Sequence, residues 1–172
     1  LKAGSGDSIL VHHKKSNILI DGGNVSKYLI SEIDNIYTKK EIIDLLIITH
    51  HDDDHIKGII DLLNHVNENK YNKDSEFIKK IIFNSPRKVL GKLSKDTSNN
   101  LSYKQAYEVE ELLEKTNVKW EIHTDKSESI KYNDLVLDFL SPTKEDIDKY
   151  SSKTGAYLTG DNKNDWKSSM SQ

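Results

Sequence analysis

The sequence predicts an α/β protein, and three observations support this class. Short β-branched apolar runs alternate with amphipathic segments along the 172 residues. Residues 42–48 form a nearly continuous apolar run, which is typical of a strand buried on both faces. The segment that follows repeats its apolar side chains at helical spacing: Ile56, Ile59, Ile60 and Leu63. We therefore expect a helix over 55–67 that packs on a sheet.

The first elements are predicted to be a hairpin followed by a helix. The apolar runs 9–11 and 18–20 are separated by a polar turn, a pattern that indicates two antiparallel strands. Asp21, Gly22 and Gly23 end the second strand. Residues 25–37 have a weaker helical pattern, and we expect a helix there before the buried strand begins.

The second half of the chain continues the alternation. Strands are predicted at 81–84, 118–122 and 135–140. Ser102 and Gln105 have the spacing of a capping box, which predicts a helix that begins near Ser102. Thr143 follows a Ser-Pro turn and is expected to cap a helix that continues to about residue 150. The polar tail at 151–172 gives no clear pattern.

Composition and charge exclude several classes of function. The net charge is only −3, so overall charge does not argue for nucleic-acid binding, although metal ions can attract phosphates locally. The chain has no cysteine, which removes disulfides, thiolate zinc sites and cysteine nucleophiles. No segment approaches the roughly 20 apolar residues of a membrane span. We expect a soluble cytoplasmic protein, and abundant Lys, Asn and Ile indicate an AT-rich bacterial genome.

One loop carries the pattern of a metal site. His50, Asp52, Asp54 and His55 lie between the buried strand and the helix, and four such side chains reach a common point only on a tight loop. Imidazole and carboxylate are the groups that bind hydrolytic metals where thiolate is absent. The alternative is a solvated acidic loop whose Asp54 and His55 cap the helix. Gly58, where the helix must pass close to a neighbour, favours the metal interpretation.

The residues of this loop resemble the metallo-β-lactamase superfamily, whose main motif is His-x-His-x-Asp-His after a buried strand. His50, Asp54 and His55 match that motif, and Asp52 stands in the place of the second His. This variant is similar to the hydrolase domain of bacterial DNA-internalisation competence proteins, where Thr/Ser-His-x-Asp-x-Asp-His-x-x-Gly is common. The segment Thr49–Gly58 fits that pattern at every marked position.

The resemblance extends beyond the loop, over roughly residues 3–150. The segments at 6–10 and 18–23 resemble the opening strands of the branch, and Leu-Ser-Pro at 140–142 resembles one of its turns. The resemblance implies an αββα sandwich of the metallo-β-lactamase type. We expect one domain over residues 1–172 that is incomplete at both ends and contains mainly the N-terminal half of that sandwich.

The resemblance also implies the metal ligands. Two divalent ions, zinc or manganese, would be held by His50 with Asp52 and by Asp54 with His55. Such ions about 3.5–4 Å apart can share a hydroxide, which Asp54 would orient and whose proton it would accept.

Other residues are implied to support those ligands. Asp21, together with Gly22 and Thr49, would lie behind them and order the loop by hydrogen bonding. Because Asp52 adds negative charge where the family has a neutral imidazole, harder metals such as Mn²⁺ should be somewhat favoured over Zn²⁺.

The family needs further ligands from its C-terminal half. Asp161 resembles a bridging ligand, but the chain between Pro142 and Gly160 is too short for the strand that should precede it. We therefore expect a loop there and the remaining ligands beyond Gln172. His65 is expected at the surface and His123 in a structural role.

The function expected from these residues is metal-dependent hydrolysis of phosphodiester bonds in nucleic acid or nucleotides. A basic stretch could contact a phosphate backbone, although such stretches are more often solvated loops: Arg87, Lys88, Lys92 and Lys95. One alternative is hydrolysis of a lactone, thioester or β-lactam. Another is a catalytically silent subunit that binds a protein partner in a larger complex.

Overall fold

The structure, a computed structural model, describes residues 1–69, 71, 76–90, 101–116 and 118–149. Its strands are β1 Ile9–His13, β2 Ser16–Ile20, β3 Leu45–Ile48, β4 Ile81–Phe83, β5 Trp120–Glu121, β6 Ile130–Tyr132 and β7 Leu135–Leu137. Its helices are α1 Lys27–Thr38, α2 Asp53–Glu68, α3 Pro86–Leu90 and α4 Leu101–Thr116. The predicted α/β class is confirmed. None of the helices in these ranges is long and apolar enough to cross a membrane.

The larger sheet places the ends of β2 and β3 side by side. Its strand order is β1-β2-β3-β4-β5, with β1 and β2 antiparallel and the later neighbours parallel. Ile20 lies opposite Ile47 in the register of β2 and β3. Because these two strands are parallel, the residues that follow them meet at one edge of the sheet. The predicted hairpin at 9–20 is confirmed.

Helices α1, α2 and α4 pack their apolar faces against this sheet. The predicted helix at 55–67 is confirmed as α2, whose buried side chains include Ile56, Ile59 and Leu63. They share one core with side chains from the other elements: Leu19, Leu29, Ile33, Leu46, Ile81, Phe83, Val109 and Leu113. Burial of these side chains removes apolar surface from water, which is the main force that stabilises the arrangement.

Two predicted strands differ most clearly from those observed. The apolar run at 42–48 is a strand only over Leu45–Ile48, and Ile43 makes an isolated bridge with Ile78. The strand predicted at 135–140 is the shorter β7, which pairs with a strand that the sequence analysis missed, β6. Asn133 joins them with a φ of 58°, a conformation that Asn tolerates better than most residues. The dipeptide Asn133-Asp134, which is typical of tight turns, was the sequence signal for this hairpin.

The start of α4 also differs from its prediction. The helix includes Leu101, so Ser102 lies within it rather than before it. The predicted capping role of Gln105 is wrong, because its Nε2 donates to Asp53 and its Oε1 accepts no hydrogen bond from the described residues.

The described residues fall into two compact units. One comprises those within Leu1–Ser85 and Asn100–Ile122, and the other those within Pro86–Asn99 and His123–Gln172. In the second unit, residues 144–149 are helical, as predicted. Thr143 caps this helix: Asp146 N donates to Thr143 Oγ1 at 3.1 Å, and Thr143 N donates to Asp146 Oδ2 at 3.1 Å.

Candidate metal centre

The candidate site lies in the first unit, where β2 and β3 end. Asp21 follows β2, and Thr49 and His50 follow β3. The Asp21 N–H donates to the Ile47 carbonyl at 2.9 Å, which extends the pairing of the two strands by one bond. Asp21 has a φ of 55°, in the left-handed region, so the chain turns sharply there. The two polar segments are therefore held together by a rigid sheet edge.

Asp21 is the centre of the hydrogen bonds in this site. It is only 2% exposed. Its Oδ1 accepts the Thr49 N–H at 2.8 Å, and its Oδ2 accepts the Thr49 hydroxyl at 2.5 Å. The same Oδ2 lies 2.9 Å from His55 Nδ1. A buried carboxylate with this many donors is compensated for its loss of water.

These bonds determine which ring nitrogens face outward. The Thr49 hydroxyl gives its proton to Asp21, so it accepts a proton from His50 Nδ1, which lies 2.9 Å away. The Asp21 carboxylate likewise accepts from Nδ1 of His55. We infer that both rings carry hydrogen on Nδ1, which leaves each Nε2 with a lone pair for a metal.

The structure places the four predicted ligands in two neighbouring pairs. His50 Nε2 lies 3.7 Å from Asp52 Oδ2, and His55 Nε2 lies 3.9 Å from Asp54 Oδ2. The two imidazole rings are 4.0 Å apart between centroids. Two ligand atoms on one tetrahedral metal are about 3.3 Å apart, so small movements would close each pair onto an ion. The donor set therefore fits a metal, while the role of each ligand stays a prediction.

Asp21 itself lies close to the two imidazoles, closer than a purely distant supporting residue would. Asp21, His50 and His55 offer ligand atoms that all lie within 4.8 Å of one another. However, both oxygens of Asp21 already accept hydrogen bonds from Thr49 or His55. We therefore interpret Asp21 as the group that orients the rings and not as a ligand.

The start of α2 argues against the alternative of a capping loop. The N-cap of the helix is Asp52, whose side chain makes no capping bond. Its carbonyl accepts the N–H groups of His55 and Ile56 at 2.9 and 3.0 Å. Asp54 and His55 lie inside the helix, so neither is the cap that this alternative requires. Asp54 has 44% of its side chain exposed, against 16% for His55.

Glycines allow α2 to approach the turn after β2. A Cβ on Gly58 would lie 2.1 Å from the Gly22 carbonyl oxygen, and a Cβ on Gly22 would lie 2.4 Å from Ile59 N. Main-chain bonds cross the contact, from Gly22 N to His55 O at 2.9 Å and from Gly58 N to Gly23 O at 2.8 Å. The expectation of a close approach at Gly58 is confirmed, and Gly22 is the residue it approaches.

His51 is a residue to which the sequence analysis gave no role. It is 6% exposed, while the neighbouring His50 has 44% of its side chain exposed. Burial lowers the pKa of His51 to about 4, so its imidazole is neutral at neutral pH. No local signal in the sequence indicated this burial.

The remaining predicted residues lie away from the site or outside the described part. His65 is not a simple surface residue, because its Nε2 lies 2.6 Å from Asp34 Oδ1 and 23% of its side chain is exposed. In the second unit, His123 is 8% exposed and its ring lies 4.5 Å from that of Phe139. Asp161 lies outside the described residues, as do Lys92 and Lys95.

Comparison with known proteins supports a metal site of this type. A family model described as the metallo-beta-lactamase superfamily matches residues 1–78. That stretch contains the hairpin, β3, α2 and every residue of the candidate centre. The α/β fold is consistent with part of a metallo-beta-lactamase fold, and the match suggests a metal-dependent hydrolase. A search of curated proteins found no match.

Proposed function

We propose that this protein hydrolyses phosphodiester bonds in nucleic acid or nucleotides with the help of two divalent metal ions. One observation carries the proposal: two imidazoles, each in hydrogen-bond contact at Nδ1, present Nε2 to a carboxylate oxygen at 3.7 and 3.9 Å. In a solvated acidic loop, nothing would require the two imidazoles to be fixed at Nδ1 with Nε2 facing a carboxylate. In the proposal, His50 and Asp52 hold one ion, and Asp54 and His55 hold the other.

The residues of the chain would each do a distinct part of the work. Metal ions at such a site make bound water a better nucleophile and stabilise negative charge that develops on phosphoryl oxygens. Asp21 and Thr49 keep the rings oriented. Asp54 accepts the proton of the attacking water, and its 44% exposure lets that proton pass on to solvent.

The phosphodiester class is supported by Asp52 and by the openness of the site. The segment Thr49–Gly58 resembles the competence-protein branch, in which Asp replaces the second His of the family motif. His50 and Asp52 have 44% and 38% of their side chains exposed, so an extended substrate can approach them. The net charge of −3 provides no overall attraction for phosphate, and bound ions would supply it locally. Asp52 should also favour Mn²⁺ over Zn²⁺.

The test compares metal-dependent turnover in matched variants. Full-length protein is stripped with a chelator, reloaded with Mn²⁺ or Zn²⁺, and assayed with bis-nitrophenyl phosphate and single-stranded DNA. We expect turnover that requires the metal and falls by at least about 100-fold in His50→Ala, since removing a ligand should exceed the loss of an outer partner. His12→Ala is the control, because it removes an exposed imidazole at the opposite end of β2.

Other outcomes would replace the proposal. Turnover of a lactone, thioester or β-lactam, without turnover of phosphodiesters, would indicate a different metallohydrolase. If no substrate is turned over and His50→Ala is harmless in the cell, the protein is a binding subunit of a larger complex. If metal analysis of natively purified protein finds only Zn²⁺, the preference for Mn²⁺ is contradicted.

A further inference from the structure

The metal loop is tied to a second helix by one side chain. Gln105 lies on α4, which packs against α2, and it is 8% exposed. Its Nε2 donates to Asp53 Oδ1 at 2.6 Å. Asp53 is the first residue of α2 and lies between the predicted ligands Asp52 and Asp54. The bond therefore joins residues 52 positions apart at the edge of the candidate centre.

Stability alone does not explain a glutamine at this position. Gln105 Oε1 is buried and accepts no hydrogen bond from the residues that the structure describes. A buried acceptor without a partner is destabilising, so an apolar side chain of similar shape should be neutral or better for folding. Asp53 is only half-buried, so water can replace the lost bond at its carboxylate. Gln105 lowers the stability of the core, yet it bonds to the candidate metal loop. Its effect on that loop therefore explains its presence better than stability does.

The bond has a direct consequence for the three consecutive carboxylates. It holds the Asp53 carboxylate against α4, while Asp52 and Asp54 face His50 and His55. Without it, the first turn of α2, which carries Asp52 and Asp54, would lose this attachment to α4. Misplacement of ligands by a fraction of an ångström is enough to weaken a metal site.

We propose that Gln105 is a positioning residue of the metal centre and acts through Asp53. This inference rests on the proposed metal-dependent function. It gives Gln105 a role that Met, which has a similar length and no hydrogen-bond donor, cannot perform.

The experiment separates positioning from stability. In the full-length protein, Mn²⁺ affinity is measured by titration calorimetry, and the melting temperature is measured in chelator. For Gln105→Met we expect a melting temperature at or above that of the wild type, with Mn²⁺ affinity about tenfold weaker. Val109→Ala is the matched control. Its side chain is fully buried on the same helix, so the melting temperature should fall while Mn²⁺ affinity is kept.

The reciprocal change tests the same bond from α2. Asp53→Ala should weaken Mn²⁺ binding by a similar factor, and the double variant Asp53→Ala/Gln105→Met should be no weaker than either single variant. Equal Mn²⁺ affinity in Gln105→Met and wild type would overturn the inference and leave the proposed function intact. Fully additive losses would also overturn it. Wild-type protein that binds neither Mn²⁺ nor Zn²⁺ would instead overturn the proposed centre, and this inference with it.

Discussion

At both ends of the β2–β3 pair, a buried carboxylate accepts a main-chain N–H from the neighbouring strand, but its other partners differ. At the carboxyl ends, the buried Asp21 accepts the Thr49 N–H from the neighbouring strand at 2.8 Å. At the amino ends, the buried Asp44 accepts the Asn17 N–H from the neighbouring strand at 3.1 Å. Each carboxylate therefore bridges a pair of parallel strands where their regular ladder stops, and each replaces main-chain bonds that the sheet no longer supplies.

The difference lies in the other partners of each carboxylate. Asp44 also accepts from Lys79 Nζ at 3.5 Å, and the Asn17 amide donates to Glu41 Oε2 and the Ile42 carbonyl. Lys and amide donors complete hydrogen bonds and offer no nitrogen lone pair to a metal. Asp21 instead bonds Thr49 and an imidazole, whose far nitrogen keeps its lone pair. A buried carboxylate thus stabilises either end, but it can orient a metal ligand only where a histidine is among its partners.

The largest effect is expected where the carboxyl end is joined to α2. In Gly58→Ala, the new methyl group would meet the Gly22 carbonyl oxygen, which main-chain bonds hold in place. The free energy of unfolding should fall by at least about 3 kcal/mol. Urea denaturation measures this, with Lys57→Ala as the control on the exposed face of the same helix. A variant as stable as the wild type would show that this end tolerates movement.

The second largest effect is a loss of stability at acid pH, because His51 is buried at the carboxyl end of β3. Its folded-state pKa is lowered from 6.5 to about 4, so the unfolded chain binds a proton more readily between these values. The contribution of the neutral His51 to stability is therefore fully present above pH 6.5. It is lost as the pH falls toward 4, which lowers the free energy of unfolding by at most about 3 kcal/mol. Denaturation of metal-free protein across this range should show a shallower pH slope in His51→Gln.

The control for acid sensitivity lies at the opposite end. His12 is exposed and its Nδ1 lies 2.6 Å from Asn17 Oδ1. His12→Gln should keep most of the pH slope of the wild type. A slope that survives in His51→Gln and disappears in His12→Gln would reverse the comparison, since the amino end would then be the acid-sensitive one.

The third prediction changes each bridging carboxylate to an amide. In Asp21→Asn, an NH₂ group must face at least one of its former donors, Thr49 or His55, and ring orientation is lost. Mn²⁺ affinity should fall by about 10–100-fold. In Asp44→Asn, the amide oxygen still accepts from Asn17, and Lys79, with 53% of its side chain exposed, can turn to water. Affinity should stay unchanged there; equal losses in the two variants would remove the distinction between the ends.

Most of the candidate site was predictable because its parts are adjacent in the sequence. His50, Asp52, Asp54 and His55 follow a buried strand and open a helix, so local spacing alone predicts that they share a loop. The close approach at Gly58 was also predictable, because a glycine near the start of an amphipathic helix indicates a crowded neighbour. That the neighbour is Gly22 was not, since its identity depends on how β2 and α2 pack.

Long-range bonds were beyond local patterns. Gln105 has the spacing of a capping residue, yet its amide donates to Asp53, 52 residues away. The β6–β7 hairpin was half missed, because three-residue strands give only one or two alternations of apolar and polar side chains. His51 was passed over because nothing in its own sequence neighbourhood distinguishes a buried imidazole from an exposed one.

Local sequence was therefore enough to place most of the strands, the main helices and a loop rich in metal-binding side chains, because periodicity and turn chemistry act over a few residues. Packing was needed to decide which nitrogen of each imidazole faces outward and which carboxylate lies behind them. The bond from Asp21 to Thr49 spans 28 residues, and it exists only because parallel β2 and β3 end at the same edge. The candidate ligands lie on the loop, and the end of the sheet determines how they are oriented.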